Sequence, residues 1–151
     1  MTTGSIEMTE TAASRAAVVH GHIEPGQIAD FLSQAYTEVL HVLEDQHSSP
    51  HGPPFARFHE TATGFDIEAG FPTTVTVVPT GRVTSVEIPG GPTVAALHQG
   101  AFETLGETYE ALDDWLVGHG YERTDDAWET YLDEPGVPEP RTLVRSPCSG
   151  P

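Results

Sequence analysis

The stretch TVAALHQGAFETLGETYEALDDWL, residues 93–116, decides the fold, because it repeats a pattern already present near the start of the chain. A short apolar strand, Val94-Ala95-Ala96-Leu97-His98, precedes a helix whose apolar positions are Leu105, Tyr109, Leu112, Trp115 and Leu116. Earlier, the strand-like run Ala16 to Ile23, with His20 near its end, precedes Ile28, Leu32, Ala35, Glu38 and Val39. The two helical sets superimpose at a shift of 77 residues (105 − 28), and four of the five pairs are apolar.

Outward from this match, the first helix is the more strongly periodic. Ile28, Phe31, Leu32, Ala35, Tyr36, Val39, Leu40 and Leu43 recur at three- and four-residue steps and leave Asp30, Gln34, Glu38 and Glu44 outside. Thr104-Leu105-Gly106-Glu107 has the spacing of a capping box at the start of the second helix, and Gly118 and Gly120 mark its end. Pro-rich residues 46–54 form a loop. Phe55 to Glu60 and Phe65 to Phe71 read as a hairpin in which Phe65, Ile67 and Ala69 alternate with Asp66 and Glu68, and Thr73 to Val78 extends it. Val83 to Ile88 is a further strand, and Trp128-Glu129-Thr130-Tyr131-Leu132 repeats the aromatic spacing of Phe55 to His59. The order strand, helix, strands occurs twice. This predicts an α+β fold of duplicated βαββ units, a curved antiparallel sheet with two helices on one face, and a ligand pocket between the helices.

The 151 residues fit one domain, with 37% hydrophobic residues for its core. Residues 1–15 read as a disordered leader, residues 16–145 as the folded domain and residues 146–151 as a flexible tail that holds the lone Cys148. A formal charge of −17 opposes binding to phosphate backbones, so no nucleic-acid partner is expected. Neither a run long enough to span a membrane nor a secretory signal is present, and the default compartment is cytoplasmic.

Candidate chemistry centres on Glu129. Strand alternation places Glu129 and Tyr131 on one face and Trp128, Thr130 and Leu132 on the other. Spacing alone favours an exposed strand glutamate. The alternative is a pocket carboxylate that neutralises an organic cation, with cation–π help from aromatic rings, or acts as a general base on water. Glu68 and Asp66 read as solvated acids, one of them able to reach a pocket rim, and Tyr109 and Trp115 read as core or pocket-wall residues. His98 reads as a packed strand-end residue or part of a pocket wall. The remaining histidines lack metal-ligand spacing, since His47 and His51 fall in a proline-rich loop, so no metal is expected. No cofactor is expected either, because nucleophile-elbow, phosphate-loop and dinucleotide motifs are absent from the sequence.

Several motifs together resemble the GyrI-like effector-binding family, whose domains are also fused to AraC-type and MerR-type regulators. They are Pro53-Pro54-Phe55-Ala56-Arg57-Phe58, Phe65 to Pro72, His98-Gln99-Gly100-Ala101-Phe102 leading to Trp115, and Gly120-Tyr121 leading to Trp128-Glu129-Thr130-Tyr131-Leu132. The resemblance spans Ala16 to Val144 and implies a SOUL-type fold whose pocket takes hydrophobic, often cationic, aromatic compounds. It also implies that Glu129 faces the ligand with Tyr131 beside it. On this basis Glu129 and Tyr131 are the candidate catalytic residues, and Phe58, Glu68, His98, Tyr109, Trp115 and Trp128 the candidate ligand contacts. The family's functions offer a stand-alone module for drug sensing, sequestration or self-resistance. They also offer a hydrolase that opens cyclopropane-bearing genotoxic compounds, or a gyrase-inhibiting protein. The segment ahead of the first expected strand is too short for a helix-turn-helix.

Overall fold

The computed structural model describes residues 2–134 and 136–150, the side chains of residues 2 and 3 aside. In chain order the elements are β1 (Thr2–Thr11), β2 (Ser14–Ile23), α1 (Ile28–Asp45), β3 (Phe55–Thr61), β4 (Gly64–Thr73), β5 (Val83–Ile88), β6 (Gly91–Gln99), α2 (Leu105–His119), β7 (Glu122–Arg123), β8 (Trp128–Tyr131) and β9 (Arg141–Ser149). The strands pair antiparallel, and with two helices this is the α+β class expected. The chain divides into two compact units, residues 13–89 and residues 1–12 with 90–151. Among the described residues no helix is long and apolar enough to cross a membrane.

In the unit of residues 13–89 the strand order is β3-β4-β2-β5. Helix α1 buries Phe31, Ala35, Val39, Val42 and Leu43, the stripe that its three- and four-residue spacing defines. At its entry the Glu24 N–H donates to Gln27 Oε1 at 2.9 Å. Of the expected extension Thr73 to Val78, only Thr73 belongs to β4. The Gln46 side-chain amide at the end of α1 exchanges two hydrogen bonds with the backbone of Val78, at 2.8 and 2.9 Å, and holds that segment as a loop.

The second unit has the order β1-β6-β9-β8, with β7 on the edge of β9. Leu105, Leu112 and Leu116 of α2 pack with Val94, Ala96, Val144 and Cys148, and Ile6 and Met8 of β1 join this core. Gly120, in the left-handed region at φ 77°, ends α2 by donating to the carbonyls of Leu116 and Val117.

Both ends of the chain depart from expectation. Residues 2–11, expected as a leader, form β1, and the expected tail continues β9 to Ser149 with Ser146 and Cys148 buried. The backbone of each segment is satisfied by pairing with strands distant in sequence, β1 with β6, and residues 146–149 with β6 and β7. The two-residue β7 aside, each repeat therefore carries one more strand than a βαββ unit. That strand is exchanged: β1 precedes β2 but pairs with β6, while β5 precedes β6 but pairs with β2.

The registers make the repeat explicit. Ala96 is flanked by Ile6 and Val144, and Val144 by Glu129; Val19 is flanked by Val83 and Ala69, and Ala69 by Ala56. The central strands thus match at the helical shift of 77 (96 − 19), which equates His98 with Gly21 and not with His20. One residue of slip exchanges the faces of a strand, so the distinction decides which side chain meets the helix.

Candidate functional site

On β8, period-two alternation turns Glu129 and Tyr131 to the same side of the sheet. Tyr109 lies on the core-facing stripe of α2, four residues after Leu105 and three before Leu112. The three meet. The Tyr109 hydroxyl donates to Glu129 Oε2 at 2.6 Å, and the Tyr131 hydroxyl donates to Glu129 Oε1 at 2.8 Å. Glu129 itself is only 8% exposed. Phe102, in the short 3-10 turn Phe102–Thr104 before α2, sets its ring edge against Tyr131 with the centroids 6.0 Å apart, and it is partly open to solvent.

Behind this group His98 is fully buried. Its Nε2 lies 3.0 Å from the Ala101 carbonyl, which can only accept, so Nε2 carries the hydrogen. In the neutral ring Nδ1 then accepts from the Thr108 hydroxyl at 2.7 Å. Thr104 Oγ1 donates to the same Ala101 carbonyl at 2.7 Å and makes no capping bond. The capping box expected from Thr104 and Glu107 is thus replaced by a 3-10 turn fastened to His98.

Burial raises the pKa of Glu129 above the ordinary carboxylate range, because its charged form loses water. The two phenol donors, and to a smaller extent the nearby His98 ring, act in the opposite direction without reversing the shift. Tyr109 is raised far above a free phenol, first by burial and then by the negative charge of Glu129. Such a carboxyl can attract a cation into a dry environment when ionised, and can donate a proton when neutral.

Of the residues expected at the site, Glu129, Tyr131 and Tyr109 are in direct contact. His98 stands in the row Tyr131, Thr142, His98 across β8, β9 and β6. Trp115 instead stacks on His119 and Tyr121, at 3.9 and 5.8 Å between centroids, over the core of the same unit. Trp128 is buried, and alternation turns it away from Glu129. Phe58 and Glu68 belong to the unit of residues 13–89. There Phe58 meets Phe65 edge to face at 6.0 Å, and Glu68 pairs with His20 and, at 3.4 Å, with Arg57. Phe102, Thr108 and Thr142 join the site without a sequence signal for it; only the helix-to-strand contact reveals Thr108. Among the described residues no group of three histidines, cysteines or acids has the geometry to hold a metal ion.

Fold and site define a class, a duplicated antiparallel α+β domain with a carboxylate enclosed by phenols in one of its two repeats. The chain belongs to the GyrI-like small molecule binding domain family, whose sequence profile matches residues 5–145. No curated protein sequence matches it. Among solved structures it is similar to EcmrR in a complex with DNA, at 16% identity and a TM-score of 0.86, covering 97% of this chain and 58% of that one. A hydrolase from Listeria innocua is similar at 15% identity and a TM-score of 0.73, with 95% of this chain and 91% of that chain covered. SAV2435 bound to tetraphenylphosphonium is similar at 15% identity and a TM-score of 0.64, with coverages of 97% and 94%. This chain therefore spans little more than half of the EcmrR chain, and at these identities the likeness is one of fold.

Proposed function

We propose that this domain binds hydrophobic aromatic cations, with Glu129 as the counter-charge and Tyr109, Tyr131 and Phe102 as aromatic contacts. One observation carries the reading: Glu129 is a buried carboxylate whose two hydrogen-bond donors are neutral phenols. A desolvated carboxylate paired with an incoming cation gains much of what burial costs it, and the phenol rings add cation–π attraction. The tetraphenylphosphonium complex of SAV2435, a protein of the same fold, supports this choice of ligand class. Drug sensing or sequestration is the corresponding role, in the cytoplasm.

Calorimetry with tetraphenylphosphonium and neutral triphenylphosphine oxide tests it. Glu129→Gln weakens the cation by about tenfold or more, roughly 1.4 kcal/mol, and leaves the neutral compound nearly unchanged. Equal losses for both compounds would remove Glu129 from the role of counter-charge.

A second reading rests on the raised pKa of Glu129, which suits a general acid or base, and on the likeness to the Listeria innocua hydrolase. Here Glu129 activates water against an electrophilic small molecule such as a cyclopropane, and Tyr131 orients it. A water-added product formed by substoichiometric protein and lost in Glu129→Gln would establish turnover. Unchanged turnover in that variant would exclude this role for Glu129.

A further inference from the structure

Thr142 is fully buried, and its Oγ1 has no hydrogen-bond partner among the described residues. It lies on β9 directly between Tyr131 on β8 and His98 on β6, one row from Glu129 and Val144. Its side chain shares the face of Val144 and Ala96, which pack against Leu112 of α2, and of His98, which bonds Thr108 of the same helix. The floor beside the carboxylate is thus Tyr131, Thr142, His98.

The other repeat builds the same row without polar groups. There Phe58, Ile67 and Gly21 stand side by side on β3, β4 and β2. Isoleucine at the Thr142 position satisfies the fold, and an isosteric valine would remove the burden of an orphaned buried hydroxyl. Here a hydroxyl stands in place of a methyl, one row from a buried carboxylate and on the face that carries Tyr131 and His98.

We infer that Thr142 is a specificity-determining residue that accepts a hydrogen bond from an N–H group of the bound cation, so that the site prefers protonated aromatic amines to quaternary cations. The inference rests on the cation-binding reading of Glu129. With Glu129 drawing the charge, an N–H next to that charge has Thr142 Oγ1 as its acceptor, whereas an N-methyl group leaves the hydroxyl orphaned.

The test compares 9-aminoacridinium, which carries N–H donors, with 10-methylacridinium, whose ring nitrogen carries a methyl group, by calorimetry on the full chain. Wild-type protein prefers 9-aminoacridinium. Thr142→Val weakens it by about three- to tenfold, the worth of one hydrogen bond, and changes 10-methylacridinium by less than about twofold. Thr142→Ser, which keeps the hydroxyl, retains the preference. In the ligand-free protein Thr142→Val melts at or above the wild-type temperature, so a lost preference cannot be assigned to a damaged fold. Equal effects of Thr142→Val on both cations overturn the role of Thr142 alone. Wild-type protein that binds neither cation overturns the cation-binding reading and this inference with it.

Discussion

His98 and Gly21 hold the same position in the two repeats and fill it in opposite ways. The imidazole of His98 reaches across to Thr108 Oγ1 at 2.7 Å. At Gly21 an added Cβ would lie 2.5 Å from Cε2 of Phe31, so there the helix supplies the bulk and the strand supplies none. Phe31 and Thr108 are themselves equivalent at the shift of 77 (108 − 31). Along the sheet the registers pair Glu129 with Ala56, Tyr131 with Phe58 and Thr142 with Ile67 as equivalents. One repeat closes this region with apolar side chains, so the polar group in the other is not required by the fold. Burial of such groups costs free energy, which points to a purpose in the bound state.

That cost should be visible in the pH dependence of stability. Burial raises the folded-state pKa of Glu129 above the ordinary carboxylate value of 4.5, so the folded chain holds this proton more tightly than the unfolded chain. The unfolded state then binds fewer protons, and the stability contributed by this group is fully present below the ordinary value and lost as pH rises through the raised one. Glu129→Gln removes the titration. Thermal melts of both proteins from pH 4.5 to about pH 8 should show the variant gaining on wild type as pH rises. A difference that stays constant across the range would mean that the carboxyl titrates like an exposed one.

The two phenols should be coupled to that carboxylate. Tyr109→Phe and Tyr131→Phe each remove a donor from a buried acceptor, which costs about 1–3 kcal/mol at a pH where Glu129 is ionised. Combined with Glu129→Gln, either change should cost less than it does alone, with a coupling energy of about 0.5–3 kcal/mol. Urea denaturation of the four proteins in each cycle measures it. Strict additivity would show that the hydroxyls and the carboxylate do not share a bond in solution.

Much of this architecture is legible in the sequence because it rests on local periodicity. The stripes of α1 and α2 and the alternation of Phe65, Ile67 and Ala69 need no knowledge of distant partners. Strand β1 does: Ile6 and Met8 mark its inner face amid polar residues, and its pairing partner β6 lies far along the chain. The end of β9 is hidden in the same way, since Ser146, Pro147 and Cys148 have the composition of a tail and the burial of a strand. At the site, alternation unites Glu129 with Tyr131. The His98–Thr108 bond and the contact of Phe102 with Tyr131 depend on how the helix meets the strand, which no single spacing encodes.

Strand β1 therefore provides a direct test of where the folded domain begins. Ile6 and Met8 pack against the core of residues 90–151, and β1 covers one edge of β6. Because Ile6 is half-buried, Ile6→Ala should cost toward the lower end of about 2–5 kcal/mol. Removal of residues 1–11 should cost more, and should lose the protection of the β6 amides from hydrogen exchange. An unchanged melting temperature after truncation would return these residues to the status of a leader.

Two glycines give opposite predictions from their surroundings. Gly118 lies on the exposed face of α2, and an added Cβ there meets nothing within 4 Å. Gly118→Ala should stabilise by up to about 1 kcal/mol through helix propensity, raising the melting temperature by about 2–4 °C. Gly70 lies in β4 opposite Val18, where an added Cβ would stand 1.8 Å from the Ala17 carbonyl oxygen. Backbone cannot yield as a side chain does, so Gly70→Ala must push β2 and β4 apart, at a cost on the order of 3 kcal/mol or more. Denaturant melts of the two variants read both effects. Wild-type stability in Gly70→Ala would mean that the β2–β4 register, and with it the equivalence of Ile67 and Thr142, is drawn wrongly.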